Sequence, residues 1–221
     1  MPDRLSYLWY EGCYCLAMAA MTLGFSLRVD GRRNVPRRGP ALLIANHQSF
    51  LDPVIVGLGM PRQVCFLARK TLFVNRGFTA LIRSLNAVPV DQEGFAKEGL
   101  RTVLELLRAG QAVVIFPEGE RTSTGQMQPF RPGVQLLIKR AQAPIVPVGI
   151  AGAFEALPRT RKLPRLSPLF WPATGAGLAV SVGRALPARR YAELPREQLL
   201  SELFREVQAV QQRAERLRRK A

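Results

Sequence analysis

The sequence predicts an α/β fold: a single domain with a largely parallel central sheet flanked by helices, preceded by an apolar, membrane-associated N-terminal helical segment. Short apolar runs alternate with amphipathic helical patterns from residue 41 onward, which is typical of a parallel sheet. Residues 5–27 form an apolar stretch, and residues 195–220 form a basic amphipathic pattern. We therefore expect three segments, over residues 1–34, 35–190 and 191–221.

Five short runs are rich in β-branched or bulky apolar residues, and each predicts a strand buried on both faces. They cover residues 41–45, 64–68, 87–90, 112–116 and 145–150, and residues 177–186 predict a last strand. Residues 95–109 repeat apolar side chains at helical spacing and precede Gly110, a residue favoured just after a helix. Residues 133–142 predict another helix. In such sheets ligands bind beyond the carboxyl ends of the strands.

The apolar stretch 5–27 is long enough for a membrane span, which needs about 20 apolar residues, but Glu11 interrupts it and the uninterrupted part, residues 12–27, is short for a span. Aromatic residues cluster near its start and arginines follow its end, an arrangement typical of membrane interfaces. Three interpretations remain open: a membrane-embedded or interfacial helix, a buried core helix, or a cleaved signal peptide. If the helix spans a membrane, the arginines predict that the rest of the chain is cytoplasmic.

The charge is strongly positive, with 32 Lys+Arg against 16 Asp+Glu, a formal net charge of +16. Residues 158–221 alone hold 14 basic and 5 acidic residues, which favours a polyanionic partner, either nucleic acid or an anionic membrane. Aromatic residues concentrate in the N-terminal apolar run and in core-like strands, which disfavours nucleic acid. Residues 195–220 predict a helix that packs on the domain, with a basic end in solvent or on lipid headgroups.

Two further features concern the surface and the thiols. The proline-rich residues 157–175 predict a loop, with Phe170 and Trp171 as candidate membrane-inserting tips. Cys13, Cys15 and Cys65 form no evident disulfide framework or metal spacing, so we expect no metal and a cytosol-facing chain.

The only histidine, His47, follows the predicted strand at residues 41–45 and precedes Asp52 by five residues. This position places His47 at the rim where ligands bind, and Asp52-Pro53 predicts a helix start. The two side chains can meet across one tight turn. A structural histidine that caps the turn and a reaction centre both remain open from these residues alone.

Three later stretches favour a reaction centre. "FPEGERTS" at residues 116–123 follows the strand at 112–116, so it leaves the sheet at the same rim. "QPFRPGV" at residues 128–134 adds Arg131 and a helix start. "APIVPVGI" at residues 143–150 places Pro147 inside an apolar run, which predicts an edge strand or a strand end.

Together these blocks resemble the glycerolipid acyltransferase family over roughly residues 35–155. The Asn-His-x4-Asp block is matched by Asn46, His47 and Asp52, and the Phe-Pro-Glu-Gly-x-Arg block by 116–121. The apolar run around Pro147 matches a further block, and Lys70 in "ARKTLF" corresponds to the family's lysine. One block departs, because Gln92 stands where the family commonly has an arginine that helps to hold the acceptor's phosphate.

The resemblance implies transfer of a fatty acyl group from a thioester to the sn-2 hydroxyl of 1-acyl-glycerol-3-phosphate, giving phosphatidic acid. It implies His47 as general base, an imidazole being suited to this task near neutral pH, and Asp52 as its orienting carboxylate. Substrate contacts are expected from Lys70, Glu118, Gly119, Arg121 and Pro147. Arg131 is a further candidate anion clamp, and Glu118 has two candidate roles, substrate positioning or acceptance of turn N–H groups and Arg121.

The resemblance further implies no cofactor or metal; the acyl donor is a thioester of coenzyme A or of acyl carrier protein. The expected partners are membrane lipid and this donor, with no nucleic acid. The expected location is the cytoplasmic face of the inner or plasma membrane. The alternatives are another lyso-lipid or glycerol-phosphate acceptor, an acyl-enzyme route through Ser49, and a non-catalytic basic protein that binds membranes or nucleic acid.

Overall fold

The computed structural model describes residues 4–90 and 95–220, and within them the strands form one seven-stranded sheet. The strands are β1 Arg28–Asp30, β2 Ala41–Ala45, β3 Cys65–Arg69, β4 Ala87–Val90, β5 Ala112–Ile115, β6 Ile145–Ala151 and β7 Ala179–Val182. Their order is β1-β7-β6-β2-β5-β3-β4. β2 to β6 run parallel to one another, whereas β7 is antiparallel to β6 and pairs with β1 in parallel. The prediction of a largely parallel sheet is confirmed.

Helices cover both faces of the sheet. They are α1 Arg4–Phe25, α2 Asp52–Gly59, α3 Arg76–Ser84, α4 Phe95–Arg108, α5 Gly133–Ala141, α6 Ala153–Ala156, α7 Ala188–Ala192 and α8 Arg196–Leu217. Because successive strand residues point to opposite faces, β2 contributes to two cores. Leu43 and Ala45 pack in the core that includes residues of α1 and α2, and Leu42 and Ile44 pack in the core that includes residues of α4, α5 and α8.

The C-terminal helix α8 packs on β6 and β7, as its amphipathic pattern predicts. Its buried side chains recur at helical spacing, at Leu199, Leu203, Val207, Val210 and Ala214. Gly149 in β6 makes the close packing possible, because a Cβ atom there would lie 2.3 Å from the backbone nitrogen of Gln211.

The prediction that Pro147 marks an edge strand or a strand end is wrong. Pro147 lies in the middle of β6, between β2 and β7, in register with Ile44. The strand tolerates it because the nitrogen and carbonyl of Pro147 face β7 just where β7 has ended, and Gly183 donates to that carbonyl at 2.8 Å. A Cβ atom on Gly183 would lie 2.7 Å from Pro147 Cγ, so glycine is needed for this approach.

Burial on both faces is confirmed for β2 and β6 but wrong for β3 and β4, where most residues are only half-buried. These two strands lie at one end of the sheet, and β4 is its edge. They therefore have fewer neighbouring elements to cover them than the central strands have.

Helix α1 confirms that the apolar N-terminal stretch is helical, but it is not a core helix. Phe25 is its only buried residue, while Leu5, Leu8 and Leu16 are more than half exposed. One side contacts the domain, where the Tyr14 hydroxyl donates to the carbonyl of Leu58 at 3.0 Å. Across residues 4–90 and 95–220, none of the helices combines the length and the apolar character that crossing a membrane requires.

Candidate active site

The parallel strands bring the predicted site residues to one end of the sheet, where the carboxyl ends of the strands lie. His47 follows β2, and residues 116–121 follow the neighbouring strand β5. Asn46 fixes the start of the turn after β2 against β6: its Oδ1 accepts from the Ile150 nitrogen at 2.7 Å and its Nδ2 donates to the Ile150 carbonyl at 3.1 Å. The turn that carries His47 is thus held by two strands.

Asp52, the first residue of α2, organises this turn. Its Oδ2 lies 2.7 Å from His47 Nδ1 and accepts from the backbone nitrogens of Gln48 and Ser49 at 2.5 and 2.7 Å. The side chain is fully buried. A carboxylate oxygen that accepts these bonds keeps the Nδ1 proton on the histidine, which leaves Nε2 to exchange protons with a substrate.

Two further contacts hold His47, one on its ring and one on its backbone. It stacks on Phe116 with ring centroids 4.1 Å apart and an interplanar angle of 18°. The Thr122 nitrogen donates to the His47 carbonyl at 3.0 Å, and the His47 side chain stays 17% exposed. The imidazole is therefore oriented by protein contacts and still reachable from solvent.

Glu118 joins the two strand-end turns. Its Oε1 accepts from the His47 nitrogen at 2.6 Å and its Oε2 accepts from the Gln128 nitrogen at 2.7 Å. Burial raises the pKa of Glu118 to about 7, although the two N–H donors act in the opposite direction. With 2% of its surface exposed, Glu118 is placed to accept turn N–H groups, the second of its two candidate roles. Its predicted acceptance from Arg121 is not among these bonds.

Gly119 and Arg131 shape the same turn. Gly119 has a φ of +82°, and a Cβ atom on it would lie 3.2 Å from Arg131 Nε. Arg131 Nε donates to the Glu118 carbonyl at 3.2 Å, and the backbone nitrogen of Arg131 donates to the Pro117 carbonyl at 2.8 Å. These bonds give Arg131 a role in holding the turn.

Arg121 presents a guanidinium beside the histidine turn. Its Cζ lies 3.3 Å from the centroid of the Phe50 ring, a close cation–π contact. Its Nη1 is buried without a hydrogen-bond partner among the residues that the structure describes. Burial lowers the pKa of Arg121, and the charges of Arg159 and Arg69 lower it further. A concentration of positive charge with an unused donor suits an anionic ligand.

The remaining predicted contacts lie at different depths. Lys70 follows the carboxyl end of β3 and is half exposed. Its Nζ lies 3.6 Å from Glu98 Oε1. Pro147 is buried inside β6. Gln92 lies outside the described residues, so its role stays a prediction.

Ser49 is buried, and its hydroxyl donates to the carbonyl of Leu157 at 2.7 Å. It therefore anchors the chain that follows β6 and α6 to the histidine turn. This bond uses the hydroxyl hydrogen, which a nucleophilic serine would have to give to His47.

The sequence-based prediction missed Phe50, Arg69 and Arg159 as neighbours of Arg121. Arg69 ends β3, and Arg159 follows α6 at the same end of the sheet as the turns after β2 and β5. Arg159 also lies 3.6 Å from Glu120, which holds it beside the turn of Arg121. The available signal was position, because Phe50 follows the carboxyl end of β2, Arg69 ends β3 and Arg159 follows β6 and α6. All three lie at the rim where ligands bind in this fold class.

This fold and this site define an α/β enzyme in which an oriented histidine can act as a general base next to a guanidinium with an unused N–H donor. Comparison with protein families makes the class more specific. The family model "Acyltransferase" matches residues 26–151 of the chain. The chain belongs to this acyltransferase family.

Individual relatives extend this match over different lengths. The chain is 25% identical over 212 residues to the 1-acyl-sn-glycerol-3-phosphate acyltransferase of Bacillus subtilis (strain 168), covering 96% of this chain and 98% of that protein. It is 29% identical over 143 residues to human 1-acyl-sn-glycerol-3-phosphate acyltransferase beta, covering 63% of this chain and 51% of that protein. It is 28% identical over 153 residues to the 1-acyl-sn-glycerol-3-phosphate acyltransferase of Streptococcus pneumoniae, covering 68% of this chain and 56% of that protein.

A solved structure supports the fold. The crystal structure of the 1-acyl-sn-glycerophosphate (LPA) acyltransferase PlsC from Thermotoga maritima matches with a TM-score of 0.76 and 24% identity. The match covers 98% of this chain and 83% of that one. The α/β architecture is thus shared along nearly the whole chain.

Proposed function

We propose that this chain transfers a fatty acyl group from an acyl thioester to the sn-2 hydroxyl of 1-acyl-sn-glycerol-3-phosphate, making phosphatidic acid at a membrane surface. The proposal is supported above all by the pairing of His47 with buried Asp52, 2.7 Å apart, beside Arg121, whose buried Nη1 has no hydrogen-bond partner among the described residues. Relatives named 1-acyl-sn-glycerol-3-phosphate acyltransferase support the choice of acceptor.

In the proposed reaction the acceptor hydroxyl attacks the carbonyl carbon of the thioester. His47 Nε2 takes the hydroxyl proton, the carbon–oxygen bond forms, and the carbon–sulfur bond breaks. The proton then passes to the leaving thiolate of coenzyme A or acyl carrier protein. Asp52 keeps the imidazole in the required tautomer and stabilises the imidazolium that forms on the way.

Arg121 is proposed to bind the phosphate of the acceptor. One face of its guanidinium is covered by Phe50, so its N–H edge remains for an anion. Arg69 and Arg159 add positive charge at this point, and Lys70 lies at the same end of the sheet. In this proposal Arg69 and Arg159 compensate for Gln92, the residue that replaces the usual cation of the family.

Membrane association is proposed to involve α1, as an interfacial helix on the cytoplasmic side. Trp9, Leu16 and Leu23 recur every seven residues and are each more than half exposed. A helix with one side on the domain and apolar residues on another suits the boundary between headgroups and acyl chains.

An acceptor series tests the proposal. Release of free thiol from acyl-coenzyme A or acyl carrier protein should be fastest with 1-acyl-sn-glycerol-3-phosphate, and slow with lyso-lipids that lack a terminal phosphate. Phosphatidic acid should form in equal amount to the thiol. Equal rates with lysophosphatidylcholine, or with glycerol-3-phosphate, would overturn the acceptor assignment. The same rate from His47→Ala would overturn the catalytic assignment.

A further inference from the structure

The loop over residues 157–174, named here the 157–174 loop, exposes apolar and basic side chains together. Phe170 and Trp171 are 84% and 71% exposed, and Leu163 is 77% exposed. The loop contains the exposed cations Arg159, Arg161, Lys162 and Arg165, and no acidic residue lies between Glu155 and Glu193. Exposed aromatic side chains with cations around them fit an anionic lipid surface.

Hydrogen bonds fix the backbone that carries Phe170 and Trp171. Arg219 donates to the carbonyls of Pro168, Leu169 and Trp171 at 3.0, 2.7 and 2.7 Å. Ser167 lies at the centre of the loop and is buried. Many bonds therefore fix a segment that presents two large aromatic side chains to the outside.

The loop adjoins the exposed side of α1. The nitrogens of Ser167 and Leu169 donate to the carbonyls of Gly24 and Leu23 at 2.9 and 3.0 Å. Leu23 is itself 51% exposed. The apolar residues of α1 and those of the loop are thus neighbours at the carboxyl end of the helix.

The other end of the loop is tied to the active site. The Leu157 carbonyl accepts the hydroxyl of Ser49, two residues after His47. The loop therefore runs from the histidine turn to the end of α1. A membrane bound along it would lie beside the site where a lipid acceptor has to react.

We propose that the 157–174 loop is a second membrane anchor, which inserts Phe170 and Trp171 into an anionic bilayer and sets the His47 turn at the bilayer surface. The inference rests on the proposed function, because it explains how a lipid acceptor reaches the site. The partner is a lipid surface, because the apolar tips match acyl chains and the basic flanks match anionic headgroups.

Vesicle binding by the full chain tests the anchor. The variant F170S/W171S should bind phosphatidylglycerol–phosphatidylcholine vesicles about tenfold more weakly than the wild type in sedimentation. Leu136→Ser, at an exposed apolar residue of α5, should bind as the wild type does. R161A/K162A should lose part of the dependence on phosphatidylglycerol, whereas K139A/R140A, a matched pair of exposed cations on α5, should keep it.

Activity separates this proposal from the catalytic one. F170S/W171S should keep kcat/KM for a water-soluble short-chain acceptor, which also reports that the variant is folded, and should lose activity on acceptor in vesicles. If the wild type acylates no acceptor, the proposed function fails, whereas vesicle binding still decides the anchor. Unchanged vesicle binding by both loop variants would overturn the anchor, as would binding of RNA in place of vesicles.

Discussion

The histidine turn and the 157–174 loop are both fixed by many hydrogen bonds, but they present opposite surfaces. Around His47 the polar side chains are turned inward: Asp52 is fully buried and Glu118 is 2% exposed. In the loop most of the bonds go to backbone carbonyls, three of them from Arg219, and Trp171 is 71% exposed. Hydrogen bonds thus hold polar side chains inside the protein in the first region and large apolar side chains outside it in the second.

This contrast separates two kinds of variant. Changes in the histidine turn should affect the rate with every acceptor, because they act on the proton transfer. Changes in the loop should affect only acceptors that lie in a membrane.

Replacement of His47 by alanine should have the largest effect. Without a base for the acceptor hydroxyl, kcat/KM should fall to background, at least about 10⁴-fold, for soluble and membrane acceptors alike. Thiol release measured with both acceptors checks this. Substantial activity in a variant whose urea unfolding matches the wild type would remove His47 from the mechanism.

Asp52→Asn should have the second-largest effect. The amide keeps the size of the side chain but not its charge, so the tautomer and the imidazolium lose their support. We expect kcat to fall about 10²- to 10⁴-fold by analogy with a serine-hydrolase triad. Asp30→Asn, at an exposed carboxylate 3.0 Å from Arg213, is the matched control and should keep its kcat. A wild-type kcat for Asp52→Asn would contradict the pairing.

Arg121→Ala should mainly weaken acceptor binding. Loss of charge-assisted bonds to the phosphate should raise the acceptor KM by about 10- to 100-fold. The donor KM should stay near its wild-type value, and Arg140→Ala on α5 should change neither constant. An unchanged acceptor KM would show that the phosphate binds elsewhere, for example at Lys70.

Glu118→Gln should lower the free energy of unfolding by about 1–3 kcal/mol, because an amide nitrogen cannot accept one of the two N–H bonds. Burial raises the pKa of Glu118 from 4.5 to about 7, so the folded protein keeps a proton that the unfolded chain loses in this range. The wild-type contribution of this group is therefore full below pH 4.5 and declines as the pH rises to about 7.

Urea unfolding across this pH range checks the prediction. The decline should be smaller in Glu118→Gln than in the wild type, and Glu120→Gln, at a residue 56% exposed, should behave as the wild type does. A decline of equal size in Glu118→Gln would assign the pH dependence to other groups.

Much of the site could be predicted from local sequence patterns. His47 and Asp52 lie within one turn, so their spacing along the chain was enough to predict their contact. The strand-end rule placed residues 116–121 beside them because β2 and β5 are parallel neighbours. The strands at 41–45 and 87–90 were predicted at their observed bounds, because continuous apolar runs are a strong local signal.

What depends on the packing of distant segments was missed or wrong. Pro147 was predicted to mark an edge strand or a strand end because proline has no N–H to donate to a neighbouring strand, whereas β7 ends at Val182, beside Pro147, so that this donor is not needed. Arg159 reaches the neighbourhood of Arg121 through the chain after α6, and no spacing along the sequence reports this contact. The three-residue strand β1 is too short to show a periodic pattern.

In the proposed mechanism His47 activates the acceptor hydroxyl directly, and no acyl-enzyme forms. Rapid-quench measurement of thiol release from acyl-coenzyme A, with and without 1-acyl-sn-glycerol-3-phosphate, distinguishes this mechanism from an acyl-enzyme route. The structure, with Ser49 buried and bonded to the Leu157 carbonyl, predicts no initial burst without acceptor and one thiol released for each phosphatidic acid formed. A burst equal to the enzyme concentration in the absence of acceptor would contradict it.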